Sequence, residues 1–172
     1  MKEKYLVTYA SRYGSTAEIA QHIAGILAKQ GWTVDTKPVS EVEDLEIYRG
    51  VLIGSAIYSG EWDQAAVEFI KAQQRLLEGL PLAIFMVGMR LRDQSEEMRS
   101  TVLAQFEVYQ VMLKPLAIGL FAGALFYDKL SPIVRLQLKG KGLPEGDFRD
   151  WSAIERWAES LPGLFASTEA AE

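Results

Sequence analysis

The chain is predicted to fold as an α/β domain: a doubly wound, five-stranded parallel sheet in the order 2-1-3-4-5, with helices on both faces. Three observations carry this. Short apolar runs alternate with amphipathic helical patterns along the whole length, as expected of strands covered on both faces by crossover helices. Five runs are present, and five favour this order among open doubly wound sheets. The first run leads through Ser11-Arg12-Tyr13-Gly14-Ser15-Thr16 straight into a helical pattern, the arrangement that turns backbone N–H groups and a helix N-terminus towards a phosphate.

Taken in order, Lys4–Tyr9 reads as the first strand and Thr16–Gln30 as a helix closed by Gly31, a residue suited to the left-handed position after a helix end. Thr33–Pro38 alternates as a second strand, and Gly50–Ser55 is a short buried third. Asp63–Leu77 is helical, with Ala66, Phe69 and Ile70 among its core positions, and ends near Gly79. Leu82–Val87 is a continuously apolar fourth strand, followed by a long helix, Ser95–Leu113, stopped by Pro115. Ala117–Ala124 is the fifth strand and Trp151–Leu161 the last helix, with Ile154, Trp157, Ala158 and Leu161 on one face. The expected organisation is one domain over residues 1–165 and a frayed tail from Ala166 to Glu172.

Composition narrows the function. Its 172 residues suffice for one real core, and 49% hydrophobic with 24% charged residues is ordinary for a globular domain. A net charge of −5 argues against nucleic acid as a partner. With no cysteine there is no thiol nucleophile, disulfide framework or iron–sulfur cluster, and a single histidine, His22, leaves little for a metal site. His22 at mid-helix is also badly placed to serve a nucleophile. Met1-Lys2-Glu3-Lys4 leads directly into a strand without a cleavage pattern, and the apolar region Val111–Tyr127 is broken by Lys114, Pro115, Gly119 and Gly123. A cytoplasmic protein is expected.

In a sheet of this order the switch point lies between the first and third strands, so a ligand should meet the loops that follow them. In the first loop, the hydroxyls of Ser11, Ser15 and Thr16 and backbone N–H groups suit a phosphate, while Gly14 permits close approach. Ser15 and Glu18 also stand at capping-box spacing. A folded-back Glu18 would repel a phosphate, so the two uses of the loop compete. Neither G-x-x-x-x-G-K-[ST] nor G-x-G-x-x-G is present. The loop after strand three, Gly54 to Trp62, offers small residues, Ser55, Ala56 and Ile57, for close approach of a flat ring, and Tyr58 and Trp62 for stacking.

The loop after strand four, Val87-Gly88-Met89-Arg90, repeats strand, glycine, then polar residue, with Arg90 either a cation beside an electron-rich ring or a solvated surface charge. After strand five, residues 128–141 carry a net +3 (Lys129, Arg135, Lys139, Lys141 against Asp128) beside Ile133, Val134, Leu136 and Leu138. A basic amphipathic helix there either touches a membrane surface or a partner, or simply covers the sheet. No carboxylate cluster marks the strand ends, so no catalytic side chain is assigned. The site looks built to hold a cofactor that brings its own chemistry.

These residues resemble the flavodoxin family, and more closely its menaquinone-linked protoporphyrinogen oxidases. The resemblance rests on Tyr9–Thr16, Ile53-Gly54-Ser55-Ala56-Ile57-Tyr58, Ala122-Gly123-Ala124-Leu125 and Asp147-Phe148-Arg149-Asp150-Trp151. It implies non-covalent FMN, its phosphate on Ser11, Arg12, Tyr13, Gly14, Ser15 and Thr16. The ring would lie between Ser55–Trp62 and the segment Val87, Gly88, Met89 and Arg90. It further implies oxidation of protoporphyrinogen with a quinone acceptor, at the inner face of the cell membrane if 129–141 makes peripheral contact. The alternative is a soluble carrier passing electrons between redox proteins, which the net −5 suits. Two departures are visible: Asp93-Gln94-Ser95-Glu96-Glu97 is acidic where those oxidases are strongly basic, and between strand five and the last helix the tyrosines and arginines are sparser than in them, though the segment stays basic and apolar.

Overall fold

The five long strands pair in parallel as the sequence predicts. In the computed structural model, which describes residues 2–171, they are β1 (Lys4–Ala10), β2 (Thr33–Pro38), β3 (Tyr48–Tyr58), β5 (Leu82–Gly88) and β6 (Ile118–Ala122). Their spatial order is β2-β1-β3-β5-β6, the expected 2-1-3-4-5 once a two-residue strand β4 (Glu61–Trp62), paired only to β3, is set aside. Helices α1 (Ser15–Lys29) and α6 (Trp151–Glu169) cover one face, and α2 (Gln64–Leu77), α3 (Glu96–Gln105) and α4 (Glu107–Leu113) the other. Alternate strand residues serve the two cores. Val7, Leu52, Phe85 and Phe121 meet Ile19, Ile23 and Ile154, while Leu6, Ile53, Ile84 and Leu120 meet Ala66 and Ile70. Gly54 is dictated by this packing, because a Cβ there would stand 2.1 Å from the Phe85 ring.

Several boundaries differ from expectation, each for a tertiary reason. β3 runs past Ser55 to Tyr58 because its end turns back on β4 through Ser59 and Gly60, both at positive φ (51° and 80°), as a two-residue hairpin of this hand requires. The single helix expected over 95–113 is two, broken at Phe106, which is buried against Trp62. The last helix does not stop at Leu161, and the tail expected from Ala166 is helical to Glu169. Pro162 sits inside it at a cost of about 3 kcal/mol of intrinsic helix preference. Offsetting this, Phe165 is buried against Tyr5 and Trp32, and Glu169 binds Arg49 and accepts from the Tyr5 hydroxyl. Met1 and Glu172 lie outside the described residues.

Between β6 and α6 the chain leaves the sheet. The excursion is closed by a small antiparallel pair, β7 (Ala124–Leu125) with β8 (Gly146–Asp147), and carries the helix α5 (Pro132–Gly140). No residue of α5 is buried, and Ile133 and Leu136 are 72% and 74% exposed. The helix therefore does not cover the sheet. Its tether is polar: the Arg135 guanidinium donates to the carbonyls of Tyr127 and Leu130, the Tyr127 hydroxyl to that of Leu143, and the Tyr127 N–H to Glu145.

Candidate functional site

At the carboxyl ends of the strands lies a cavity of about 480 Å³, within the range of about 300–1,000 Å³ usual for small-molecule sites. The loops after β1, β3 and β5 supply its floor and walls, as the switch-point rule requires. Arg12, Tyr13, Ser15, Ala56, Ile57, Tyr58, Val87, Gly88, Met89 and Arg90 line it. The excursion closes it from above with Leu125, Gln137, Leu138, Lys141 and Leu143, and Val102 and Gln105 of α3 complete one side. Lys141 donates across the rim to the Ser59 hydroxyl at 3.2 Å.

The strand-one loop is shaped by its own backbone. Gly14, at φ 93°, precedes α1 as its cap residue, and its N–H donates to the Ser11 hydroxyl at 3.1 Å. No side chain caps the helix. The capping box that Ser15 and Glu18 spell out does not form: Gly14 takes the cap position, Ser15 is the first helical residue, and the Glu18 carboxylate is bound by Arg149. The Thr16 hydroxyl is fully buried and finds no hydrogen-bond partner among the described residues. Ser11, Gly14 and Thr16 form the base of this loop rather than the wall of the large cavity. Tyr13 and Ser15 line both that cavity and a small one of about 20 Å³ beside it, which Glu18, Lys129 and Arg149 complete.

Arg12 points away from the helix end. Its guanidinium lies 4.7 Å over the Tyr58 ring and 3.5 Å from the Asp63 carboxylate, and its N–H donates to the Tyr58 hydroxyl at 2.8 Å. This bond ties the loops after β1 and β3 together. Burial pushes the Tyr58 hydroxyl up to about 12, so it stays neutral and keeps its acceptor role at any physiological pH. Tyr13 stands edge-on to Tyr58 at 5.5 Å.

Two residues expected at a ring lie elsewhere. Trp62 is core: it stacks on Tyr109 at 4.6 Å and Phe106 at 5.2 Å. In the hairpin Tyr58 pairs with Glu61 and Ile57 with Trp62; Ile57 still borders the cavity, whereas the larger Trp62 ring is buried in the core beside it. Ser55 is fully buried, donates to the Ala56 carbonyl, and accepts from the Asp63 N–H. It holds the turn into α2, where Asp63 accepts from the Ala65 N–H as N-cap. His22 pairs with Glu155 of α6 at 3.0 Å, a structural role. The basic residues of 129–141 contact their own segment and the rim: Lys129 lies over Phe126, Lys139 over Tyr127, and Arg135 and Lys141 are bonded as described, the three lysines remaining exposed.

The sequence reading left Gln137, Leu138, Lys141 and Leu143 out of the site because nothing local places an excursion over a cavity. Arg149 was visible only within Asp147–Trp151. Asp147 accepts from Arg149 at 2.7 and 2.9 Å, and these bonds hold its carboxyl below the usual range and raise the guanidinium. Among the described residues no cluster of His, Cys, Asp or Glu could hold a metal, and no helix is long and apolar enough to cross a membrane.

A parallel sheet of this order with a cavity at its switch point defines a flavodoxin-like α/β protein. The chain belongs to the Flavodoxin domain family, which it matches over residues 6–140. It is 27% identical to the protoporphyrinogen IX dehydrogenase [quinone] of Escherichia coli strain K12, covering 94% of this chain and 96% of that one. Solved structures agree in fold. A Streptococcus pneumonia TIGR4 flavodoxin superposes with a TM-score of 0.57 at 17% identity, over 92% of this chain and 97% of the other. Flavodoxin 2 of Bacillus cereus gives 0.54 at 22%, over 96% and 99%. FMN is the cofactor that this family and fold imply, and the chain is a flavodoxin-like FMN oxidoreductase.

Proposed function

We propose that this protein oxidises protoporphyrinogen IX, or a closely similar reduced tetrapyrrole, and passes the electrons to a quinone. The carrying observation is the roof of Gln137, Leu138, Lys141 and Leu143 over the cavity. A carrier that meets protein partners needs the edge of its ring open, whereas a roofed cavity suits a small substrate brought against the ring. The full-length similarity to a quinone-linked dehydrogenase supports the same reading.

The residues present fit FMN. An uncapped helix N-terminus, the left-handed turn at Gly14 and the unpartnered Thr16 hydroxyl are what a phosphate dianion would satisfy. Ser11, Tyr13 and Ser15 would surround it, and Ala56, Ile57, Tyr58, Val87, Gly88 and Met89 would border the ring, with Tyr58 offering a neutral face. Arg90, exposed on the cavity rim, would favour negative charge on a reduced ring. FMN, held by these residues, would supply a two-electron acceptor between the reduced substrate and the quinone. The protein's part is to orient both and to exclude water.

Quinones of this kind partition into lipid, and the exposed Ile133 and Leu136 of α5 support a reading in which that helix meets the inner membrane surface. The test begins with the purified protein: it should release FMN on denaturation, then turn over protoporphyrinogen with a menaquinone analogue. Bound FMN with turnover only through protein acceptors would replace this reading with that of an electron carrier.

A further inference from the structure

Glu18 raises a question the fold has to answer. It stands in the first turn of α1, four residues after the cap residue Gly14, where a side-chain carboxylate is drawn towards the positive helix N-terminus. A carboxylate in that place would take the N–H groups and the positive helix end for itself, and would repel a phosphate arriving there.

Glu18 is not there because another element holds it. Arg149 reaches from the end of the excursion, with its side chain only 7% exposed and its guanidinium 4.7 Å over the Trp151 ring. Its Nε and Nη2 bond the two oxygens of Asp147 at 2.9 and 2.7 Å. Its remaining Nη1 donates to Glu18. Asp147 thus orients the fork, Trp151 supports its plane, and the free prong captures the one carboxylate in the first turn of α1. Arg149 and Glu18 also line the same small cavity as Ser15.

We infer that Arg149 is a positioning residue for the cofactor: it binds Glu18 away from the α1 N-terminus and so leaves that N-terminus to the phosphate of FMN. This rests on the reading of the strand-one loop as the phosphate site. It also gives the excursion a second role, since the pair β7–β8 that closes its base also carries Asp147, and so links the segment over the cavity to the phosphate end.

The test compares FMN with riboflavin, which has the ring but no phosphate, by fluorescence titration of flavin-free protein. Arg149→Met keeps the stem on Trp151 and removes the fork. It should weaken FMN binding about tenfold or more, by freeing a like charge at the phosphate, and leave riboflavin unchanged. Adding Glu18→Gln to that variant should restore most of the FMN affinity. If Arg149→Met does not fold, Arg149→Lys serves, with a smaller FMN-specific loss of about threefold, because a single ammonium cannot grip both carboxylates as the fork does. Equal losses for FMN and riboflavin, or no recovery with Glu18→Gln, would overturn the inference while leaving the cofactor intact. A wild-type protein that takes up neither ligand would overturn the cofactor reading and the inference together.

Discussion

The two rims of the cavity are built on different principles. The lower rim, the loops after β1, β3 and β5, grows out of the ends of buried parallel strands, and its turns are set by backbone: left-handed Gly14, the Ser59–Gly60 hairpin, and the buried Ser55 hydroxyl. The upper rim is an excursion whose helix buries nothing and which is fastened by hydrogen bonds and cations over rings. The lower rim inherits the rigidity of the core. The upper one holds its place through polar ties of modest individual strength, so it can shift without unfolding the sheet. Under the proposed function, the cofactor belongs to the rigid rim and the substrate meets the tethered one.

The largest effect should come from breaking the rigid rim at its root. Trp62→Ala removes a ring packed between two others and should destabilise the fold by about 3–5 kcal/mol, read by denaturant unfolding. Residual FMN affinity in the folded fraction should be close to normal, since Trp62 is buried in the core and does not line the cavity; an FMN-specific loss without destabilisation would put Trp62 back at the ring. Next is Gly14→Glu. A Cβ there meets no atom within 4 Å, so the cost lies in a strained φ, roughly 1–2 kcal/mol, and in a negative charge at the anion site. FMN affinity should fall about 100-fold or more, and unchanged affinity would make the loop a plain turn.

The tethered rim should respond differently. Ile133→Ser with Leu136→Ser should leave flavin content and melting temperature unchanged, because both side chains are already in solvent. Co-sedimentation with anionic vesicles and the rate with a lipid-soluble quinone should drop about threefold to tenfold, and equal rates would remove α5 from membrane contact. The smallest effect is acid sensitivity. Arg149 depresses Asp147, so the stability from that pair is complete above the ordinary aspartate value, about 3.9, and disappears as pH falls through the lower folded value. Asp147→Asn should therefore be less stable than the parent at neutral pH by under about 1 kcal/mol, the carboxylate being partly exposed, and the gap should close in strong acid.

Legibility follows the same division. The strands, their order and the strand-one loop could be read directly, because apolar runs, glycines and hydroxyls act within a few residues. Tyr58 and Trp62 looked alike in sequence; only the packing of Trp62 on Phe106 and Tyr109, from the second half of the chain, separated a core residue from a cavity one. Ser15 and Glu18 looked like a cap until the chain brought Arg149, 131 residues away, to the same helix end.

The sequence by itself determined the sheet, its helices and the switch-point location of the site, since these rest on hydrophobic periodicity and on backbone geometry that local residues dictate; the ligand followed from the family resemblance. The tertiary structure alone decided which aromatic lines the cavity, that α6 continues through Pro162, what roofs the site and what keeps the α1 N-terminus open. Each of these depends on side chains far apart in the chain, and their meeting is a property of packing that no local pattern encodes.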